Sequence, residues 1–81
     1  MKIFQQRLIE QRKLNKYTQR QVADYLQITQ PSYIRYENGS SQPTLETLVK
    51  LADYFDVSVD YLLGIEKSNS AGIDTSMLSE K

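Results

Sequence analysis

The segment TQRQVADYLQITQPSYIRYENG, residues 18–39, decides the fold of this 81-residue chain. Thr18, followed by Gln21 three residues later, has the pattern of a capping box at the start of a helix. Thr29 caps a further helix after a very short connector, and Asn38-Gly39 ends that helix. Two capped helices joined by so tight a turn predict a helix-turn-helix, although an ordinary corner between two helices of an all-α domain has the same pattern.

A further helix precedes this segment. Phe4 and Leu8 lie four residues apart on one stripe, which predicts helix 1 over about residues 3–14. Asn15-Lys16 follows as the exit of this helix, and Asn15 suits the left-handed conformation that a helix end often needs.

Two more helices follow the segment. Thr44 caps helix 4 and Ser58 caps helix 5, which ends before Gly64. Helix 4 has one apolar face, which we expect to be buried and which consists of Leu45, Leu48, Leu51, Ala52 and Phe55. The predicted fold is therefore all-α, with one compact five-helix domain over residues 1–65 that contains a helix-turn-helix.

The composition changes after residue 65. The stretch SNSAG, residues 68–72, is typical of a flexible segment, so we expect residues 66–81 to form a flexible C-terminal tail. The alternative is that Ile73, Met77 and Leu78, which have helical spacing, form one apolar patch. Such a patch would serve to dock onto a partner protein.

Composition excludes several classes of function. Hydrophobic residues make up 40% and charged residues 25% of the chain, as in ordinary globular domains. The chain has no cysteine and no histidine, so it lacks a disulfide framework, the usual zinc ligands and the commonest acid–base and nucleophilic residues. No apolar run approaches the ~20 residues of a membrane span. We therefore expect a cytoplasmic protein that is not an enzyme and has no cofactor, metal site or membrane contact.

The net charge of the chain is zero, but its two halves carry opposite net charges. Residues 1–35 carry seven basic and two acidic side chains, whereas residues 36–81 carry three basic and eight acidic ones. This asymmetry indicates that one half faces a polyanion, unless the charges are placed by chance on a solvated surface.

Helix 3, over about residues 30–37, has two different sides. Tyr33 and Tyr36 form its inner side, with Ile28 just before the helix. The outer side carries amide, guanidinium and aliphatic groups, which read adenine, guanine and the thymine methyl group in the major groove of DNA. We therefore predict base contacts by Gln30, Pro31, Ser32, Ile34 and Arg35.

Helix 2, which Thr18 opens and which ends near Leu26, begins with residues that suit a phosphate. Thr18, Gln19 and Arg20 place free backbone amides and a cation at a helix N-terminus, where an anion is favoured.

Arg12 and Glu37 each occupy an awkward position. Arg12 falls on the apolar stripe of helix 1, and Glu37 lies at the C-terminal end of helix 3, where the helix dipole disfavours an acid. A partly buried, bidentate ion pair that ties helix 1 to helix 3 explains both positions. The alternative is two unrelated surface charges.

These residues resemble a known family. The match consists of Thr18-Gln19-x-x-Val22-Ala23-x-x-Leu26-x-Ile28-Thr29-Gln30-x-Ser32-x-x-x-Tyr36-Glu37-Asn38-Gly39 and then Pro43-Thr44-Leu45-Glu46-Thr47-Leu48. It is similar to the Cro/cI phage-repressor (XRE-like) helix-turn-helix family over about residues 4–64. The resemblance implies a lambda-repressor-like DNA-binding domain, of bacterial or phage origin, that binds a double-stranded DNA operator as a dimer and regulates transcription as a repressor.

The resemblance also implies roles for single residues. Those that lie where the family contacts bases are Gln30, Pro31 and Arg35. Arg12 and Glu37 match its ion pair between helices. Phosphate contacts are expected at two places. At the start of helix 2 the residues are Thr18, Gln19 and Arg20, and after helix 3 they are Asn38 and Ser40.

The chain departs from the family's pattern at three places. Gln27 replaces the usual glycine of the turn, and a left-handed conformation there costs on the order of 1 kcal/mol. Pro31 offers only van der Waals contact at a position that is often polar. The loop of residues 40–42 is uncharged where the family is often basic, so we expect it to bind phosphate weakly.

A single module of this size buries little DNA surface, so we expect a homodimer on two half-sites. The candidate dimer surface lies in the acidic, aromatic second half and consists of Tyr54, Phe55, Tyr61, Leu62, Leu63 and Ile65, unless Tyr54 and Tyr61 belong to the core. The alternative function is a protein-interaction module, an antitoxin or anti-repressor subunit that uses the same fold mainly to bind another protein.

Overall fold

The computed structural model describes residues 2–65 of the chain. Within this range the chain forms five α-helices and no strand, namely α1 (Lys2–Leu14), α2 (Gln19–Leu26), α3 (Gln30–Asn38), α4 (Leu45–Phe55) and α5 (Val59–Leu63). The predicted all-α, five-helix fold is confirmed. The predicted tail and the patch within residues 73–78 lie outside the described residues. None of the helices in residues 2–65 has the length and apolar character needed to cross a membrane.

The N-terminal caps are those that the sequence predicts. Thr18 Oγ1 accepts a hydrogen bond from the Gln21 amide at 3.0 Å, and the Thr18 amide donates to Gln21 Oε1 at 2.8 Å, which completes the capping box. The hydroxyl groups of Thr29, Thr44 and Ser58 cap α3, α4 and α5 in the same position. These caps fix where α2 to α5 begin.

Left-handed residues follow α1 and α2. Gln27 has φ 60° and ψ 41°, and its amide donates back to the Ala23 carbonyl at the end of α2. After α1 the expected position is wrong by one residue, because the left-handed residue is Lys16, with φ 61°. The Asn15 amide still donates to the Gln11 carbonyl at 3.1 Å, and so does its side-chain amide at 2.7 Å. Asn15 therefore continues the helical hydrogen bonding, and the chain reverses one residue later.

The left-handed conformation of Gln27 predicts that glycine at this position would stabilise the protein. We expect Gln27→Gly to raise the free energy of unfolding by about 0.5–1 kcal/mol, because glycine adopts φ 60° without the steric cost that other residues incur. The greater freedom of glycine in the unfolded chain offsets part of the gain. Urea unfolding of the variant measures the difference. Lys13→Gly, in the exposed last turn of α1, is the control and should lower the stability by about 1 kcal/mol; a similar loss in Gln27→Gly would contradict the prediction.

Side chains from all five described helices form one core. Its members are Phe4, Leu8, Val22, Ala23, Leu26, Tyr33, Leu48, Leu51, Ala52, Phe55 and Leu62. Full burial of one such aliphatic or aromatic side chain contributes about 1.5–3 kcal/mol. The apolar stripes that the sequence predicts for α1 and most of α4 therefore face inward, and Val22, Ala23 and Leu26 of α2 pack against them.

The core corrects two expectations. Leu45 was expected to be buried but is 73% exposed, because it is the first residue of α4 and lies one turn beyond Leu48, the outermost core residue of that helix. Phe55 and Leu62 were expected on a dimer surface but belong to the core, which for Phe55 confirms its place on the buried face of helix 4. Phe55 continues the inward stripe of α4, and Leu62 is the buried residue of α5. Neither of them is available to a partner subunit.

Tyr54 and Tyr61, also expected on the dimer surface or in the core, pack against the core. The Tyr54 ring is stacked between Tyr17, at 4.6 Å between centroids, and Tyr25, at 4.1 Å. The Arg7 guanidinium lies over the Tyr61 ring, 4.5 Å from its centroid, and donates to the Tyr61 carbonyl. Both tyrosines thus have partners within the domain, and their assignment to the packing of the fold is confirmed.

Candidate nucleic-acid interface

The third helix, α3, presents two different sides. It packs against α1 and α2, and its inward residues Tyr33 and Glu37 are buried. Tyr36 is half-buried, and its ring meets that of Tyr33 edge-on. Among the residues predicted to contact bases, the exposed ones are Gln30, Pro31 and Arg35, and the half-buried ones are Ser32 and Ile34. The uncovered side of α3 therefore carries an amide, a proline ring and a guanidinium, with Ile34 and Ser32 at its margin.

A buried carboxylate fixes the orientation of α3. Glu37 is only 7% exposed. Arg12 of α1 donates from Nε to Glu37 Oε2 at 2.6 Å and from Nη2 to Oε1 at 3.3 Å. The Tyr33 hydroxyl donates to Oε2 at 2.6 Å, and Gln19 of α2 donates from Nε2 to Oε1 at 3.1 Å. The predicted bidentate ion pair is thus confirmed, and each carboxylate oxygen accepts two hydrogen bonds.

These contacts set the charge states of the cluster. Burial pushes the pKa of Glu37 upward, but the hydrogen bonds from Arg12, Tyr33 and Gln19 outweigh burial and hold that pKa below its ordinary value. The hydrogen bond to Glu37 raises the pKa of Arg12 against the effect of burial. Burial, together with the bond to Glu37, also raises the pKa of the Tyr33 hydroxyl. A carboxylate, a guanidinium and a neutral phenol are therefore the stable forms around neutral pH.

Sequence reasoning found only part of this cluster. It paired Arg12 with Glu37 but missed Tyr33 and Gln19 as donors to the same carboxylate. Tyr33 lies four residues before Glu37, a spacing that places both on one side of a helix, so this contact was open to prediction. Gln19 gives no comparable signal, because its partner lies on another helix.

The start of α2 offers a limited set of groups to a phosphate. The Thr18 hydroxyl already accepts from the Gln21 amide, and the Gln19 side chain donates to Glu37. The donors that remain for an anion are the backbone amides of Gln19 and Arg20, the Thr18 O–H, the second N–H of the Gln19 side chain and the exposed Arg20 guanidinium.

In the loop after α3, two backbone amides already have hydrogen-bond partners within the domain. Asn38 Oδ1 accepts from the Ser40 amide at 2.9 Å, and the Ser41 amide donates to the Arg35 carbonyl at 3.2 Å. Gly39, between them, is left-handed with φ 85°. Asn38 and Ser40 are exposed, so what they keep for a phosphate is a side-chain amide and a hydroxyl group.

Two arginines give this surface its positive charge. Arg20 and Arg35 are exposed, and within residues 2–65 neither makes a side-chain hydrogen bond or an ion pair. In the same part of the chain, no three His, Cys, Asp or Glu side chains are grouped so that they could hold a metal ion. The surface formed by α3 and the start of α2 is therefore equipped to bind an anion with hydrogen-bonding groups beside it.

Comparison with known proteins fits this geometry. A family model described as helix-turn-helix matches residues 8–62. The chain belongs to this helix-turn-helix family. The resemblance to the Cro/cI (XRE-like) type is confirmed.

Relatives of this helix-turn-helix chain are named as transcriptional regulators. The repressor RstR of the cryptic phage CTXphi, from Vibrio cholerae, is 48% identical over 64 residues, which are 79% of this chain and 56% of RstR. The regulator AnsR and the uncharacterized regulator YqaE, both HTH-type and from Bacillus subtilis, are each 46% identical over 61 residues, or 75% of this chain and 53% of the relative. The chain thus spans about half the length of these curated relatives. No solved structure matches it.

Proposed function

We propose that this helix-turn-helix protein is a sequence-specific DNA-binding regulator of transcription that acts as a repressor and places α3 in the major groove. The observation that carries the proposal is the two-sided character of α3. Tyr33 and Glu37 anchor its inner side, while Gln30 and Arg35 remain exposed on the other side. The names of the relatives, which include a phage repressor, support the same function.

The base contacts follow from the chemistry of the exposed side chains. Gln30, the first residue of α3, pairs its amide with N6 and N7 of an adenine. Arg35 reaches a guanine further along the groove. Ile34 and Pro31 offer only carbon, so they contact a thymine methyl group, and Ser32 adds a hydroxyl at the helix start.

The phosphate contacts come from both ends of the motif. The backbone amides of Gln19 and Arg20, with the Arg20 guanidinium, bind one phosphate at the N-terminus of α2. Thr18 flanks this site. Asn38 and Ser40, at the end of α3, bind a second phosphate through uncharged groups and therefore more weakly.

Two copies of the domain are needed for useful affinity, since a single module buries only about 600–1,000 Å² on DNA. We place the dimer contact at the apolar residues around the end of α5 and the start of α4, of which Leu45 and Ile65 are exposed and Leu63 is half-buried. Leu63 and Leu45 line one groove, and Ile65, at 46% exposed, follows Leu63 by two residues. The predicted dimer surface included Phe55 and Leu62, which are buried in the core, so Leu45 takes their place beside Leu63 and Ile65. Because the relatives are bacterial or phage proteins, we expect the protein to act in the bacterial cytoplasm.

The assignment of α3 is tested by specificity. We expect Gln30→Ala to relax the preference at one adenine position and to weaken binding to the best site by about 1–3 kcal/mol, with little loss on non-specific DNA. Arg35→Ala should do the same at a guanine position. The measurement is a binding-site matrix for wild type and for each variant at equal salt, with the exposed Lys50 of α4 replaced by alanine as the control. Unchanged matrices for both α3 variants would mean that α3 does not read the DNA.

A further inference from the structure

Helices α2 and α3 are joined at both of their ends. At one end the chain itself connects them through Gln27 and Ile28. At the other end the first residue of α2, Gln19, donates its side-chain Nε2 to Glu37 Oε1 at 3.1 Å. Glu37 lies one residue before the end of α3. The Gln19–Glu37 hydrogen bond therefore closes the open end of the helix-turn-helix and restricts the angle between its two helices.

The partner of Gln19 is itself firmly held. Glu37 also accepts hydrogen bonds from Arg12 and Tyr33 and is almost completely buried. A long polar side chain on the surface samples many rotamers, and ordering it costs entropy. Because Glu37 is also bonded to Arg12 of α1 and to Tyr33 of α3, the bond from Gln19 ties the start of α2 to a group that is already fixed within the domain.

This bond limits what the Gln19 side chain can offer a phosphate. One N–H of its amide points to Glu37, which leaves a single uncharged N–H beside a carbonyl oxygen that repels an anion. Arg20, the next residue, is exposed and has no partner in the described part of the chain. The two neighbours are thus suited to different tasks.

We propose that Gln19 is a positioning residue, which acts through Glu37 to hold α3 at the angle needed to read bases, and that Arg20 supplies the phosphate contact. The inference rests on the proposed function, because it assumes that α3 reads DNA while the start of α2 binds the backbone. On this account Gln19 controls sequence preference although it contacts no base. Arg20 controls affinity for all sequences alike.

The test separates sequence preference from affinity. Gln19→Met keeps the length of the side chain but removes the donor. We expect its affinity for the preferred site to fall by roughly 3- to 30-fold, the range found when a coupling contact is removed, while its affinity for random DNA changes by less than about two-fold. The slope of log affinity against log salt should stay that of the wild type, because no phosphate contact is lost. Arg20→Ala should instead lower both affinities alike and make the slope less negative by about 0.9 per phosphate.

Rescue provides a second readout. Gln19→Lys restores a donor to Glu37, so its preference for the best site should return while the salt slope stays unchanged. A steeper slope without recovered preference would show that the side chain at position 19 faces a phosphate, and the positioning role would be wrong. Equal loss on all sequences in Gln19→Met would overturn it as well. Circular dichroism at the assay temperature confirms that each variant is folded.

The results for the wild type and for Gln19→Met show whether the proposed function or only the role of Gln19 is wrong. If the wild-type protein shows no preference among DNA sequences, the proposed function itself is wrong. If the wild type has a preferred site and Gln19→Met keeps the full preference, only the role of Gln19 is wrong.

Discussion

Replacing Glu37 by alanine is expected to lower the free energy of unfolding by about 2–4 kcal/mol, because the change leaves the Arg12 guanidinium partly buried without its counter-charge. The Arg12 side chain is only 14% exposed. Tyr33 and Gln19 lose their acceptor in the same variant, and an unsatisfied buried donor adds to the cost. The loss is a large fraction of the stability expected for so small a domain.

Thermal and urea unfolding of Glu37→Ala and Arg12→Ala measure this effect. Glu10→Ala, which removes an exposed carboxylate from α1, is the control and should change the stability by no more than about 0.5 kcal/mol. If Glu37→Ala and Arg12→Ala both unfold like the control, the pair is a surface pair and does not hold α1 to α3.

The pH dependence of stability gives the same pair a second test. The pKa of Glu37 is lower in the folded protein than its ordinary value, so its contribution is present above the ordinary pKa and is lost as the pH falls through the folded pKa. Wild type should therefore lose stability on acidification more steeply than Glu37→Gln does.

The affinity for DNA is expected to fall by about a hundred-fold between 50 and 200 mM salt, if each of two copies contacts two phosphates, one at the start of α2 and one at the end of α3. Each neutralised phosphate contributes a slope of about −0.9 to log affinity against log salt. Arg20 and Arg35 are the exposed cations of the candidate surface. Because the loop of residues 40–42 is uncharged, Arg20 should account for a large part of the slope.

Titration of Arg20→Ala at several salt concentrations measures this share. Two copies of the variant lose two phosphate contacts, so the slope should become less negative by about 1.8. Lys50→Ala removes a cation from α4 instead and should leave the slope as it is. A salt profile that is flat in the wild type would contradict the assignment of this surface to DNA.

Local signals explain why much of the fold was open to prediction from the sequence. Thr18, Thr29, Thr44 and Ser58 each cap a helix by accepting from an amide three residues away, so the sequence near each position contains the whole interaction. The ion pair between Arg12 and Glu37 was also predictable, since each charge is unfavourable where it stands unless the other is near.

The errors arise where distant parts of the chain decide the outcome. Leu45 has the same helical spacing as the buried residues of α4. Only the tertiary structure shows that the first turn of α4 extends past the edge of the core, so that Leu45 is exposed. Leu62 is an apolar residue in an acidic segment, which suggested a surface, but tertiary packing buries it. For Phe55 the helical spacing already predicted burial, and the assignment to a dimer surface was wrong. The bond from Gln19 to Glu37 joins two helices, and no spacing in the sequence predicts it.

Selection of bound sequences from random double-stranded DNA, at about 0.1 M salt, tests directly whether this helix-turn-helix reads DNA by sequence. We expect one enriched sequence made of two inverted half-sites whose centres lie about one helical turn, or a multiple of it, apart. Each half-site should contain an adenine whose preference depends on Gln30. Recovery of no enriched sequence by the folded protein would contradict the claim that this helix-turn-helix reads DNA.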